Sequence, residues 1–436
     1  MPYPCNVFTT QRGYYTDQFS GGLVFDLKIL LVGNHTCSNR GDAAILRGTI
    51  KLLRAARPEV ALTIMTRFPV SAEILIGETC IRDPLYDWKV QASKNRLQKK
   101  LIKFWPRFAR FLLLFGLAGR RLPLPAHYHA FISLVESHDY VLQVGGSFLV
   151  DLYGINQFEY MLLSKLTARP IYLLGHSIGP FDKKEFKRFA NLLLPKADAL
   201  VLRELESTRL YKEFSKDLRN IVQSGDAAWL LEDIDTKRKD DSKIIVFTCR
   251  ELGPFASRLR VAQDRYELLF AELLDKLIDK GYQLVGLSTC TPLDKYDKDD
   301  RIVAHRIRAR LQRPEQCRII YDELNDEQFM AYVSSAAMVI GTRLHSCIMS
   351  MCKGVPALAL LYEHKSKGVM ERLGLPELSV LIEDLDKPST MDTINAVLRG
   401  DYTSHVISAV KTEANQVRND YLRVLPLGTE CRDIAT

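Results

Sequence analysis

The chain has 436 residues, 47% of them hydrophobic and 26% charged, with a formal net charge of +8. That composition excludes a disordered or fibrous chain, and the length suits two domains of about 200 residues better than one core. Nine cysteines, scattered and without a C-x-x-C pair, argue for a reducing compartment and against zinc, so no metal site is expected. There is no basic-then-apolar leader and no apolar span of about 18 residues, which predicts a cytoplasmic protein without a spanning helix.

Residues 1–26 are polar, rich in Gly and Tyr and aperiodic, and are expected to form a flexible extension. The first strand is predicted over Leu27–Gly33. A loop follows, Asn34 to Asp42, then a helix through Ala43 to Ala56 with Asp42 as a fitting N-cap. This is a phosphate-binding βα arrangement in outline, although G-x-G-x-x-G is absent. Ala61–Met65 reads as a second strand.

Between Lys89 and Arg121 the chain carries ten basic residues and no acid, mixed with Trp105, Phe104, Phe108 and several Leu. Such a pattern describes an amphipathic segment lying on an anionic membrane surface, or a core-facing helix with a solvated basic face; Pro106 leaves its geometry open. No motif for nucleic acid accompanies the charge, so no nucleic-acid partner is expected.

The βα rhythm returns with Tyr140–Val144, ending in Gly145, Gly146 and Ser147. Pro170–Leu174 follows, ending in a turn that contains Gly175, His176 and Ser177, and Ala199–Leu202 ends in Arg203-Glu204. Several polar or glycine-rich turns at strand ends line one edge of a parallel sheet, which makes Asn39, Arg40, Asp42, Gly145, Gly146, Ser147, His176 and Ser177 candidates for lining a substrate. Turn-stabilising roles for His35 and His176 are equally compatible with the pattern. Glu232–Ser242 is a charged run with little to bury and reads as a linker, which places an N-terminal domain at 27–235 and a C-terminal one at 241–400. In the second half, strands are predicted near 244–247, 283–287, 318–320, 338–340 and 358–361, followed by Glu363-His364-Lys365 and, within the tail 401–436, a helix from about Tyr402 to Val424.

The step Gly341-Thr342-Arg343-Leu344-His345-Ser346 joins an apolar strand to a helix that stops before Gly354-Val355-Pro356. In open α/β sheets ligands lie beyond the carboxyl ends of strands, where helix N-termini offer free N–H groups to anions. Arg343 and His345 therefore point where an anionic substrate would lie; the same pattern also suits a plain strand-to-helix turn whose Arg pairs with a carboxylate and whose His is a satisfied structural residue. Cys347 and Cys352 follow on the helix and read as packing residues. The whole is α/β, two Rossmann-like domains facing across a cleft.

Taken together, Asn39-Arg40-Gly41-Asp42, Gly145-Gly146-Ser147, Gly175 to Pro180, Arg203-Glu204 with Ser207, Arg343-Leu344-His345, Gly354-Val355-Pro356 and Glu363-His364-Lys365 resemble the polysaccharide pyruvyltransferase family over about Leu27–Leu375. Within it the chain looks closest to the branch acting on colanic acid and amylovoran exopolysaccharides. The sequence departs from common family patterns at Ser147, where many members have Gly, and at Ala227, where Asp-Pro-Ala is common. The resemblance implies a GT-B-like fold and transfer of pyruvate from phosphoenolpyruvate to two sugar hydroxyls as a cyclic ketal. It maps the donor site onto Arg203, Arg343, Leu344 and His345 and implies no cofactor beyond the donor; from their place after a strand, His364 and Lys365 are second-tier candidates for binding the donor's anionic groups. Its acceptor would be a lipid-linked oligosaccharide or polysaccharide, met at the inner face of the cytoplasmic membrane.

The chemistry asks for those residue types. Two Arg forks can hold a carboxylate and a phosphate bidentately, and His345 can carry a proton near neutral pH as the catalytic shuttle beside Arg343. Two other readings remain at this stage: a glycosyltransferase using a nucleotide sugar, and a non-catalytic glycan-binding subunit of an exopolysaccharide assembly.

Overall fold

A computed structural model describes residues 27–427 except 95–123, 168, 214, 216, 236–240, 254–260, 296–297 and 363, and leaves aside the side chains of 92–93, 152, 155–156 and 364–366. The extension 1–26 and most of the basic segment 89–121 lie outside the described residues. Lys89 is described, and it is paired with the buried carboxylate of Glu159.

The first sheet contains β1 (Lys28–Asn34), β2 (Ala61–Thr66), β3 (Cys80–Arg82), β4 (Tyr140–Gln143), β5 (Gly146–Leu149), β6 (Ile171–Ile178), β7 (Ala199–Leu202) and β8 (Ile221–Gln223). Its order is β3-β2-β1-β4-β6-β7-β8, with β5 also pairing β6, and every pairing is parallel. The second sheet contains β9 (Ile244–Thr248), β10 (Gln283–Gly286), β11 (Cys317–Ile319), β12 (Met338–Gly341), β13 (Ala357–Leu361) and β14 (Ser379–Leu381), in the order β11-β10-β9-β12-β13-β14, again parallel. Runs such as Ala199-Leu-Val-Leu202 and Ala357-Leu-Ala-Leu-Leu361 are buried throughout, as a parallel sheet covered by helices on both faces requires. In each sheet the order reverses beside its first strand, at β1/β4 and at β9/β12, the kind of point at whose carboxyl ends open α/β sheets bind ligands.

Three local features differ from the sequence-based expectation. The first helix is Arg40–Ala56, and Asn39 caps it by accepting from the Gly41 N–H at 3.0 Å; Asp42 lies in the first turn instead of at the cap. Strand β6 runs on through Ile178, so His176 and Ser177 are buried strand residues and not part of a loop. A short strand, β5, forms directly after Gly145, because Gly146 and Leu149 find partners on the extended β6.

The two sheets are held against each other. Arg40 N–H donates to Thr289 O at 2.7 Å, Asn39 bridges Cys290, and Arg47 forks onto Asp326 at 2.6 and 2.9 Å. One apolar cluster runs continuously from a face of the first sheet into the second domain, and a separate cluster covers the other face of the first sheet. The C-terminal helix, Thr403–Val424, returns to the first domain, where Tyr421 Oη donates to Gly225 O at 3.0 Å. Among the described residues no helix is long and apolar enough to cross a membrane.

Candidate active site

The turn after β12 is fixed by its own hydroxyls. Thr342 Oγ1 lies 2.7 Å from Tyr266 Oη, and Ser346 Oγ lies 2.6 Å from Thr248 Oγ1 on the neighbouring β9. With Arg343 at its N-cap, the helix Leu344–Met351 starts at once, so His345 leaves the second sheet pointing toward the first domain. There its Nε2 stands 3.3 Å from Asp226 Oδ2. The other side of the ring faces Gly41: a Cβ on that glycine would lie 2.5 Å from His345 Nδ1. The starts of two helices, Arg40–Ala56 and Leu344–Met351, thus meet across the domain boundary.

Beneath His345 lies a buried polar network. Arg203, directly after β7, donates from Nη1 to Asp226 Oδ2 at 2.5 Å, from Nη2 to Ser147 Oγ at 2.6 Å, and from Nε to Ser177 Oγ at 2.8 Å and Glu204 Oε1 at 3.1 Å. Ser177 Oγ donates to Glu204, as does Ser207 Oγ at 2.7 Å. Every nitrogen of the guanidinium is therefore engaged. Burial alone would lower its pKa, but Asp226 and Glu204 outweigh that and raise it, so the charge is permanent. For Asp226 burial pushes upward, and Arg203 followed by His345 pulls the pKa well below the usual carboxylate range. Asp226 stays ionised and offers His345 a fixed acceptor.

Asp42, half-buried beside this group, behaves in the opposite way. Its pKa is pushed up to about 6, first by burial, against the pull of His345, Arg203 and a hydrogen bond with Asn39.

Arg343 turns the other way. Its Nε and Nη2 reach Asp300 at 3.0 and 2.6 Å, and Asp300 also accepts from the Cys290 N–H at 3.1 Å, tying the turn after β10 to the turn after β12. Leu344 is half-buried against the core. Lys365 sits in the first turn of the helix His364–Arg372, just past β13, with its side chain outside the described part.

The remaining residues expected to line a substrate fall into two groups. Ser147 and Ser177 belong to the Arg203 network. Arg40 faces no open space: it is fully buried, donating to Leu324 O, to Cys37 O at 2.9 Å, to Thr291 Oγ1 at 3.0 Å and to Glu323, and so fastens the first helix to the second domain. Gly145 serves backbone packing, since a Cβ there would meet Leu174 O at 2.4 Å. His176 is buried in β6 with Nε2 3.2 Å from Gln143 O, and burial lowers its pKa to about 4, so it is neutral. Burial likewise pushes the Cys347 thiol up to about 12, which leaves it a packing residue. Sequence reasoning passed over Asp226, Glu204 and Asp300 as site residues. Two of them carried a usable signal: Glu204 stands in the Arg203-Glu204 motif, and Asp226 stands where the family pattern has the Asp of Asp-Pro-Ala.

Comparison with known proteins places this geometry. A family model described as polysaccharide pyruvyl transferase matches residues 39–364. The chain is 38% identical over 422 residues to the amylovoran biosynthesis protein AmsJ of Erwinia amylovora, covering 91% of this chain and 99% of that protein. Among solved structures, the Anabaena protein Alr3699/HepE in complex with UDP-glucose superposes with a TM-score of 0.56 at 10% identity, covering 91% of this chain and 98% of that one. The UDP-GlcNAc 2-epimerase of Neisseria meningitidis gives 0.55 at 12% identity, covering 91% and 100%. These two likenesses establish the two-domain GT-B-like fold.

Proposed function

The chain belongs to the polysaccharide pyruvyl transferase family, and from that premise we propose that it moves the pyruvyl group of phosphoenolpyruvate onto two hydroxyls of one sugar in an exopolysaccharide repeat unit, closing a cyclic ketal and releasing phosphate. The observation that carries this reading is the meeting of His345, Asp42 and the Asp226–Arg203 pair where the carboxyl edges of the two sheets converge.

In the proposed sequence a proton goes to the methylene carbon of the donor, and the carbon bearing the phosphate becomes an oxocarbenium ion. One sugar hydroxyl adds to it and gives up its proton, restoring the acid. Phosphate then leaves, and the second hydroxyl closes the ring, its proton departing with the phosphate. A single relay able to give and retake one proton is sufficient, and we assign it to His345 with Asp42, at a contribution of about 10²–10⁴-fold. Asp226 holds the imidazole in register.

The donor's carboxylate and phosphate are assigned to Arg343, the N-terminus of the helix Leu344–Met351, Arg203 and Lys365. In the free protein Asp300 and Asp226 occupy the two Arg forks, so the donor anion competes with these carboxylates for guanidinium N–H groups. No cofactor besides the donor enters the reading. The acceptor is read as a lipid-linked oligosaccharide or polysaccharide, met through reversible contact of the basic sequence between Lys94 and Arg121 with an anionic membrane; Lys89 is spent on Glu159.

The test is to incubate the protein with phosphoenolpyruvate and lipid-linked or water-soluble oligosaccharides, and to follow phosphate release and the mass gain of one pyruvate less water. Thermal protection by UDP-sugars in place of phosphoenolpyruvate would favour the glycosyltransferase reading instead.

A further inference from the structure

Behind Asp226 stands the C-terminal helix. Val406, Val410, Ala414, Val417 and Tyr421 recur along Thr403–Val424 at the three- and four-residue spacing of one buried face, and Glu413 is buried beside them. Packing alone would be served by Phe in place of Tyr421 and by Leu in place of Glu413. A buried hydroxyl or carboxylate is unfavourable unless a partner replaces its water.

Both side chains meet the chain at one glycine. Tyr421 Oη donates to Gly225 O at 3.0 Å, and a Cβ on Gly225 would run into Glu413 Oε1 and Val417 Cγ2. Gly175, at the turn inside β6, makes room for the phenol from the other side, since a Cβ there would run into Tyr421 Oη. Glu413 in turn accepts from Arg372 Nε at 2.6 Å, at the end of the helix His364–Arg372, which holds the C-terminal helix in place.

The Gly225 carbonyl and the Asp226 N–H belong to one rigid peptide plane. A hydrogen bond to that carbonyl therefore sets the angle at which the chain enters Asp226. On the following side, Asp226 Oδ1 accepts from the Ala228 N–H at 2.9 Å, opening the 3-10 segment Ala227–Leu231. Oδ1 is thus engaged by its own turn, and Oδ2 is the oxygen that meets Arg203 and His345. Burial, followed by the nearby Asp226 charge, raises the Tyr421 pKa well above the ordinary phenol value against the pull of Arg203, so the hydroxyl stays a donor.

We infer that Tyr421 is a positioning residue of the active site: from the C-terminal helix it fixes the Gly225–Asp226 peptide, and through it the carboxylate that orients His345. The inference rests on the pyruvyl-transfer reading for what the oriented imidazole does, and one arm of the test is independent of that reading.

Tyr421→Phe keeps the ring and removes only the donor. Val406→Ala, in the same buried stripe and about four turns away, controls for a simple loss of helix packing. The His345 ring is observed by NMR of the histidine-labelled full chain, its signals assigned by their loss in His345→Ala, and kcat and donor KM are measured from phosphate release. In Tyr421→Phe the His345 signals are expected to move toward their positions in Asp226→Asn, and kcat to fall about tenfold with donor KM within about twofold of the parent. Val406→Ala is expected to lower the melting temperature and leave both the signals and kcat near those of the parent. Placed in Asp226→Asn, Tyr421→Phe should change kcat by less than about twofold, because the charge it positions is already gone. Unmoved His345 signals, an unchanged kcat, a shift as large in Val406→Ala, or a further tenfold loss on top of Asp226→Asn each overturns the assignment. If the parent transfers no pyruvate from phosphoenolpyruvate to any acceptor, the pyruvyl-transfer reading fails and the ring signals alone decide for or against Tyr421.

Discussion

His345 Nε2 and Arg203 Nη1 converge on one oxygen, Oδ2 of Asp226, at 3.3 and 2.5 Å. The imidazole comes from the second domain, and the carboxylate lies at the entry to the buried 3-10 segment Ala227–Leu231, which packs against the first helix. Any shift of one domain against the other therefore moves the imidazole relative to its acceptor. Asp226→Asn keeps the shape and removes the charge, so the imidazole loses its orientation and the cation it could form loses its counter-ion. We expect kcat for phosphate release to fall by about 10²-fold or more, with a smaller change in donor KM. Turnover within a few-fold of the parent would remove Asp226 from the relay.

Gly41→Ala addresses the opposite side of the same ring. The added Cβ would stand 2.5 Å from Nδ1 and 2.6 Å from Cγ of His345. Alanine is a better helix former than glycine by about 1 kcal/mol, and the obstacle is a side chain that can swing away. The melting temperature should change little while activity drops with the displacement of His345 from Asp226. A variant as active as the parent would mean that the imidazole works from another position.

A third expectation concerns pH. Burial holds the Asp42 pKa at about 6 in the folded protein, above its unfolded value, so between about pH 4 and 6 the folded state binds more protons. Stability should therefore fall as pH rises through that window, by an amount on the order of 1–3 kcal/mol. Asp42→Asn should flatten this part of the profile when urea unfolding is followed from pH 4 to 7, and should also abolish a limb near pH 6 in kcat/KM. An unchanged pair of profiles would show that Asp42 is not the titrating group.

Much of this site was legible in the sequence because it sits on local steps. Gly341 to Ser346 is a strand end running into a helix, and Arg203 ends an apolar strand; each can be read within six residues. The partners were not legible. Asp226 lies 119 residues from His345, and Asp300 lies 43 from Arg343, so nothing local announces that either carboxylate turns toward a given Arg or His. The same limit explains Arg40: a basic residue in a strand-to-helix loop looks like a substrate ligand until Glu323, in the other domain, is seen to occupy it. At His176 the error was one of extent, because Gly175 suggests a strand end while the pairing of β6 with β5 and β7 carries the strand past it.

Arg40 provides a test of structural against binding roles. Its side chain is wholly buried, whereas that of Glu323 is 33% exposed. Arg40→Met would leave the acid able to reach water but orphan Cys37 O and Leu324 O. Glu323→Gln would instead leave a buried cation without its charge partner, a break of the kind that costs about 3–5 kcal/mol. Both variants should melt earlier in calorimetry, and neither should alter phosphoenolpyruvate affinity by more than a few-fold at a temperature where each is folded. A selective loss of donor binding at unchanged stability would return Arg40 to the substrate site.

Arg343 and Asp300 should move donor affinity in opposite directions. The Arg343 fork is held by Asp300 at 3.0 and 2.6 Å, and a donor anion must share or displace that carboxylate. Arg343→Lys replaces the planar fork with a point charge and should weaken phosphoenolpyruvate binding by about 1.5–3 kcal/mol. Asp300→Asn keeps an acceptor for the Cys290 N–H and for one guanidinium nitrogen while removing the competing negative charge, so binding should tighten. Its kcat should decline, because a less firmly held Arg343 positions the donor less well. Calorimetric titration of the two variants decides the matter: if Asp300→Asn weakens binding as much as Arg343→Lys does, the carboxylate acts by aiming the fork and not by competing for it.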